Sequence, residues 1–123
     1  MEKKILLLID DNPLLTGLYK AAFEKHGFNV FFAHNGEDGL KLAKEKSPDI
    51  VLLDILMPGI DGFEVLKTLK SDPTTKKAKV IILTVVVDKN AEEKAKKLGA
   101  LDYLIKPQLK LKEIVDRVLA HTA

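Results

Sequence analysis

The sequence predicts an α/β fold in which five parallel strands are covered on both faces by five helices. Two observations and one packing rule predict it. Aliphatic runs alternate along the chain with stretches whose apolar residues recur at helical spacing. The runs Ile5–Ile9, Ile50–Leu53 and Val80–Leu83 are aliphatic throughout, as central strands buried on both faces require. Strict alternation of strand and helix specifies a parallel sheet with helices packed on either side.

Each element carries its own signals. The first strand ends at Asp10-Asp11. The first helix opens at Asn12, a capping residue, with Pro13 at the first helical position, where its missing N–H costs nothing. Its apolar stripe reads as Leu15, Leu18, Ala22 and Phe23, and Gly27 ends it. Asn29–Ala33 is a shorter strand candidate. The second helix starts near Asn35-Gly36, carries Leu40 and Ala43, and stops before Ser47-Pro48, because the residue before proline avoids helical geometry. The third strand ends at Asp54. The third helix opens at Asp61, with Glu64 completing a capping box, and buries Val65, Leu66 and Leu69. The fourth strand ends at Thr84, and Val85-Val86-Val87 either extends it or forms an apolar surface patch. The fourth helix opens at Asn90, with Glu93 three residues later, and ends at Gly99. Asp102–Ile105 is the last strand and leads into Lys106. The fifth helix follows Pro107 and shows Leu111, Ile114, Val115 and Val118 at helical spacing. No linker, repeat or low-complexity tract interrupts this order, so residues 1–123 read as a single domain.

Composition removes several classes of function. There is no cysteine, which excludes disulfides, thiolate catalysis and cysteine metal sites. Arg117 is the only arginine, and the lysines are spread over several segments and mixed with acids. That distribution reads as solvated helix faces and argues against a nucleic-acid site. The run Ile5–Ile9 is too short to cross a bilayer, and it ends in acids before a signal peptide would be complete. A cytoplasmic protein without membrane contact is expected. His26 reads as a helix-end cation, and His34 and His121 as surface residues.

In open α/β sheets, ligands bind beyond the carboxyl ends of the strands, where strand order reverses. Asp10, Asp11, Asp54, Thr84 and Lys106 all fall at such ends. Three carboxylates in one place repel one another, and a hard divalent cation relieves that repulsion. An oxygen-only set favours Mg2+, and the absence of thiolate or histidine disfavours zinc. Aspartate is also a competent nucleophile that forms an acyl phosphate. Phosphoryl transfer depends chiefly on positioning and charge neutralisation. Lys106 offers a compact positive charge and Thr84 a hydroxyl donor for phosphoryl oxygens. Singly, each residue has an ordinary reading: Asp10-Asp11 as a helix cap, Lys106 as a solvated cation, Tyr103 as core. Their coincidence at four strand ends favours a site.

Together with Met57-Pro58, Asp61-Gly62, Gly99-Ala100 and the run Asp102-Tyr103-Leu104 before Lys106-Pro107, these residues resemble the receiver domain of two-component response regulators over essentially the whole chain. The resemblance implies the flavodoxin-like receiver fold with strand order 2-1-3-4-5. It implies that Asp54 is the phosphoacceptor. Asp11, Asp54 and the backbone carbonyl of Leu56 would ligate Mg2+ directly, with Asp10 holding it through water. Thr84 and Lys106 would bind phosphoryl oxygens, and Tyr103 would be an aromatic switch that turns inward as Thr84 moves. The bond before Pro107 would be cis. A sensor histidine kinase or a histidine phosphotransfer protein would be the donor. An output protein, or a second copy in a phosphorylation-dependent dimer, would bind the face formed by helix four, strand five and helix five. Such a domain catalyses only its own phosphoryl transfer and dephosphorylation. Two other readings share the sequence: an interaction module indifferent to phosphorylation, and the receiver part of a larger regulator whose effector was removed. A phosphohydrolase would need a second acid two residues after the nucleophile, where Leu56 stands. The chain also departs from the family pattern. Val85 replaces the usual small residue after Thr84, and Leu56 and Val86 are apolar where an attacking water would be placed. Slow autodephosphorylation is expected.

Overall fold

A computed structural model describes residues 3–122; Met1, Glu2 and Ala123, included in the single domain expected from sequence, lie outside the described residues. The elements run β1 (Ile5–Ile9), α1 (Pro13–Lys25), β2 (Asn29–Ala33), α2 (Gly36–Lys46), β3 (Ile50–Leu53), α3 (Gly62–Ser71), β4 (Lys79–Thr84), α4 (Lys89–Lys97), β5 (Asp102–Ile105) and α5 (Leu111–Thr122). A short 3-10 turn, Lys106–Gln108, joins β5 to the last helix. All strands pair in parallel, in the order β2-β1-β3-β4-β5. Because β1 has β2 on one side and β3 on the other, the strand order reverses there. The resulting crevice opens at the carboxyl ends of β1 and β3.

The uniformly aliphatic runs form the three central strands, and their alternate residues serve two cores. Leu7, Ile9, Val51, Leu53, Val80 and Ile82 face α2, α3 and α4, where Ala43, Leu66 and Ala95 cover them. Leu6, Leu8, Ile50, Leu52, Ile81 and Leu83 face α1 and α5, where Phe23, Ile114 and Val118 cover them. A fully buried aromatic such as Phe23 contributes about 2–3 kcal/mol through burial. Among the described residues, no helix is long and apolar enough to cross a membrane.

Three local expectations are corrected. The buried stripe of α1 is Thr16, Tyr19 and Phe23, while Leu18 is 54% exposed. Thr16 tolerates burial because its hydroxyl donates to the Pro13 carbonyl at 2.9 Å. The cap of α4 is Asp88, whose carboxylate accepts the Asn90 N–H at 2.8 Å, so the helix begins before Asn90. His121 is half-buried and lies 3.1 Å from Asp102 Oδ2, on a carboxylate that Arg117 also engages. The second helix stops where expected, although Ser47 turns into left-handed geometry at φ 47°.

Candidate functional site

The parallel register brings the strand-end residues together. Ile9 pairs with Leu53, so Asp10 and Asp54 emerge side by side. The ladder continues one step past the strands: the Asp10 N–H donates to the Ala33 carbonyl and the Asp54 N–H to the Ile9 carbonyl, both at 3.0 Å. These bonds fix the backbone of both acids. On the other side of β3, Thr84 closes β4 opposite Ile105, which places Lys106 next in line.

The side chains then form one connected network. Lys106 Nζ donates to Asp10 Oδ2 at 2.5 Å and to Asp54 Oδ2 at 3.1 Å. The Thr84 hydroxyl donates to Asp54 Oδ1 at 2.7 Å, and the Leu56 N–H donates to the same oxygen at 3.1 Å. Asp10 Oδ1 accepts the Asn12 N–H at 3.0 Å. Asp10, Asp54 and Thr84 are buried, while Asp11 is exposed at the mouth. Burial works against the Lys106 ammonium. The hydrogen bond to Asp10 and the charges of Asp54 and Asp10 outweigh it and hold its pKa above the ordinary lysine value.

Carboxylate oxygens of Asp10, Asp11 and Asp54 lie within 4.8 Å of one another. Three carboxylates against one ammonium leave two negative charges uncompensated in a largely buried pocket. A hard divalent cation matches both that deficit and the all-oxygen donor set.

The comparisons with known proteins agree with this geometry. A family model described as the response regulator receiver domain matches residues 6–119. The chain belongs to that family. It is 44% identical to Protein PilH of Pseudomonas aeruginosa over 83% of this chain and 84% of that protein. It is 37% identical to the sporulation initiation phosphotransferase F of Bacillus subtilis over 96% of this chain and 92% of that protein. It spans only 44% of a longer relative, the transcriptional regulatory protein AfsQ1 of Streptomyces coelicolor. The crystal structure of a putative response regulator from Chloroflexus aurantiacus superimposes with a TM-score of 0.86 at 32% identity, covering 95% of both chains.

In this receiver domain a second network extends away from Asp54. Tyr103 is buried, and its hydroxyl donates to the Val86 carbonyl at 2.9 Å. The Val86 N–H reaches Thr84 Oγ1 at 3.4 Å. Tyr103, the β4–α4 loop, Thr84 and Asp54 are therefore linked in sequence. Burial, then the charges of Asp88, Glu92 and Asp54, raise the Tyr103 pKa. The valine run does not extend β4. Val85 and Val87 are 51% and 66% exposed, which makes an apolar patch beside the site.

The expected cis bond before Pro107 is not found; no peptide bond among the described residues is cis. The physical reason is local. Trans is the intrinsically favoured isomer, and Pro107 sits inside a 3-10 turn closed by the Leu109 N–H on the Lys106 carbonyl at 3.3 Å.

Tyr19 was not singled out from sequence, and Gly62 entered there only as part of the Asp61-Gly62 pair. Tyr19 lies against the site from α1; burial raises its pKa, with Lys106 opposing and Asp10 and Asp54 adding to the rise. Its signal was its place one helical turn after Thr16. Gly62 opens α3 directly behind Asp54. A Cβ there would come 2.4 Å from the Asp54 carbonyl oxygen and 2.5 Å from Ile55 Cα. Only glycine lets the helix start that close to the backbone of the site, and the Asp61-Gly62 pair carries this in the sequence.

Proposed function

We propose that Asp54 accepts a phosphoryl group from a histidine kinase or a histidine phosphotransfer protein, and that the modification switches a protein-binding face made of α4, β5 and α5. The observation that carries this reading is the Asp54 carboxylate itself. One oxygen is held by Thr84 and Leu56 N–H, the other by Lys106, and Asp10 and Asp11 stand beside it. An Asp54 oxygen would bond to phosphorus as the donor's phosphorus–nitrogen bond breaks; the histidine nitrogen keeps the bonding pair, and with a proton already on the ring or taken from solvent it leaves as neutral imidazole, with no change of oxidation state. Mg2+, held by Asp11, Asp54 and the Leu56 carbonyl, with Asp10 acting through water, would neutralise the phosphoryl oxygens when bound. Lys106 and Thr84 are the donors that would follow the charge, exchanging carboxylate oxygens for phosphoryl oxygens. Thr84 would draw the β4–α4 loop with it, and Tyr103 would lock that loop through Val86.

Leu56, two residues after Asp54, is apolar and 56% exposed, so no second acid is present to turn the site into a general phosphohydrolase. A self-modifying switch is the consistent reading. Such a switch would work in the cytoplasm, where its donor presents phosphohistidine, and a modified face could also pair two copies. Treatment with acetyl phosphate and Mg2+ tests the proposal by intact mass. One phosphoryl adduct is expected on the wild type and none on Asp54→Asn. An absent adduct, or one that survives Asp54→Asn, favours an interaction module indifferent to phosphorylation.

A further inference from the structure

The lysines that the sequence scatters are gathered by the fold at one end. The strands are parallel and each helix runs back against them, so every helix terminates at the edge where strands begin, opposite the acidic site. The last turn of α1 carries Lys25, that of α2 Lys44 and Lys46, and that of α4 Lys96 and Lys97. At the other end, the first turns of α2 to α5 carry Glu37, Asp38, Glu64, Glu92 and Glu113. Helix dipoles favour this arrangement within the helices. They do not account for Lys4, Lys76, Lys77 and Lys79, which lead into or open β1 and β4 at the same edge.

Three of the acids at this end are already engaged, while Glu24 and Glu45, in the last turns of α1 and α2, enter no ion pair among the described residues and are outnumbered by the lysines around them. Asp49 accepts the Ile5 N–H at 2.7 Å, Asp72 lies 3.5 Å from Lys44, and Asp102 holds Arg117 and His121. Among the described residues, Lys25, Lys46, Lys76, Lys77 and Lys97 enter no ion pair. A cleft of about 500 Å³ opens in the middle of this surface, between the Ser47–Asp49 turn and the segment 73–79, with Lys4, Lys77, Lys79 and Thr74 on its walls.

We propose that this basic end docks an extended, acidic segment of a partner protein. The span of the charge decides for a chain over a small anion. Five strands at about 4.8 Å spacing cross about 20 Å, the reach of roughly six extended residues. Lysines supply point charges that satisfy carboxylates without fork geometry. The one arginine is committed to Asp102, and the one strongly exposed aromatic, Phe32, lies near the far end of β2, so nucleic acid would find no stacking platform here. The concave cleft suits a peptide better than a bilayer surface.

The probe is a fluorescein-labelled deca-glutamate peptide, followed by anisotropy in low and high salt. Saturable binding that weakens with salt is expected. Lys46→Glu/Lys77→Glu/Lys97→Glu should weaken it by about tenfold or more, as reversing rim charges does. Lys89→Glu/Lys110→Glu/Lys112→Glu makes the same charge change at the acidic end and should leave it within about twofold. Asp54→Asn should bind like the wild type, which separates this surface from the phosphoacceptor. Both triple variants should keep the wild-type far-ultraviolet circular dichroism and thermal melt, which shows them folded. No saturable binding, an equal loss in the two triple variants, or stronger competition from duplex DNA or phosphatidylglycerol vesicles than from unlabelled peptide overturns the proposal.

Discussion

Replacing Lys106 by methionine tests the charge accounting of the acidic site directly. The ammonium is shared between Asp10 and Asp54 at 2.5 and 3.1 Å, and both carboxylate side chains are only 6% exposed. Methionine keeps most of the stem and removes the charge. Removing one partner of a buried ion pair costs about 3–5 kcal/mol, because the remaining charge is stranded. The lower end applies here. Asp10 keeps the Asn12 N–H at 3.0 Å, and Asp54 keeps the Thr84 hydroxyl at 2.7 Å and the Leu56 N–H at 3.1 Å. Lys106→Met should therefore lose about 3 kcal/mol in EDTA at neutral pH. Mg2+ stabilises the wild type as well, so at saturation the deficit closes only by the difference in affinity: without Lys106 competing for Asp10 and Asp54 the variant should bind Mg2+ more tightly, and each tenfold recovers about 1.4 kcal/mol. Urea unfolding followed by far-ultraviolet circular dichroism gives both numbers, with the slope checked for constancy. A loss under about 1 kcal/mol in EDTA, or a deficit that Mg2+ leaves untouched, would falsify the claim that Lys106 offsets the repulsion of buried acids.

Three further outcomes are expected. Gly62→Ala should destabilise by about 3 kcal/mol in thermal melts, because its Cβ would meet rigid backbone at 2.4 and 2.5 Å; a change within error would mean α3 simply slides away. Asp102 is a carboxylate whose pKa is depressed below 3.8: burial raises it, but hydrogen bonds from His121, the Tyr103 N–H and Arg117 outweigh burial. Such a group contributes stability above its unfolded pKa and loses it as pH falls through the folded value. Asp102→Asn should thus be less stable than wild type at pH 7 and lose that difference below pH 3.8; a gap that persists in acid contradicts the assignment. The phosphorylated protein should release phosphate slowly, with Leu56 and Val85 presenting apolar side chains at the rim, and Leu56→Asn should speed release; rapid release unaffected by the substitution counts against shielding.

Some of this was legible because the signal is physical and local. Runs such as Ile50–Leu53 announce strands buried on both faces, and such strands in alternation with helices admit one kind of sheet. The strand-end residues were legible for the same reason: in a parallel sheet, the residue after each strand must appear at the functional edge. What failed involved competition between neighbours. Asp88 and Asn90 are both good caps, and only the tertiary path of the β4–α4 loop selects Asp88. Thr16 and Tyr19 look less buried than Leu18 by composition, yet a hydroxyl satisfied by Pro13 makes Thr16 the better core residue. The basic pole was invisible because its lysines come from separate segments, and only the shared direction of the helices collects them.

The site also explains why the proposed readout lies toward α4 and not α3. Asp54 leads into α3 through residues 55–61, and Thr84, which donates to Asp54, leads into α4 through residues 85–88. The helix α3 is anchored by Val65, Leu66 and Leu69, all fully buried, at about 1.5–3 kcal/mol each. In α4 only Ala95 is fully buried, a methyl worth about 0.8 kcal/mol, with Ala91 and Leu98 packed partly against the core. A hydrogen bond to a charged group contributes about 1.5–3 kcal/mol. Re-aiming the single Thr84 proton toward a new dianion is therefore comparable to the force holding α4 and small beside that holding α3. In the proposed switch the Thr84–Val86–Tyr103 connection would carry that energy to the β4–α4 loop, which leads into the weaker helix. A larger apolar residue in place of Ala91, which packs partly against the core, should wedge α4 and accordingly blunt phosphorylation-dependent partner binding, while the acetyl phosphate adduct on Asp54 still forms.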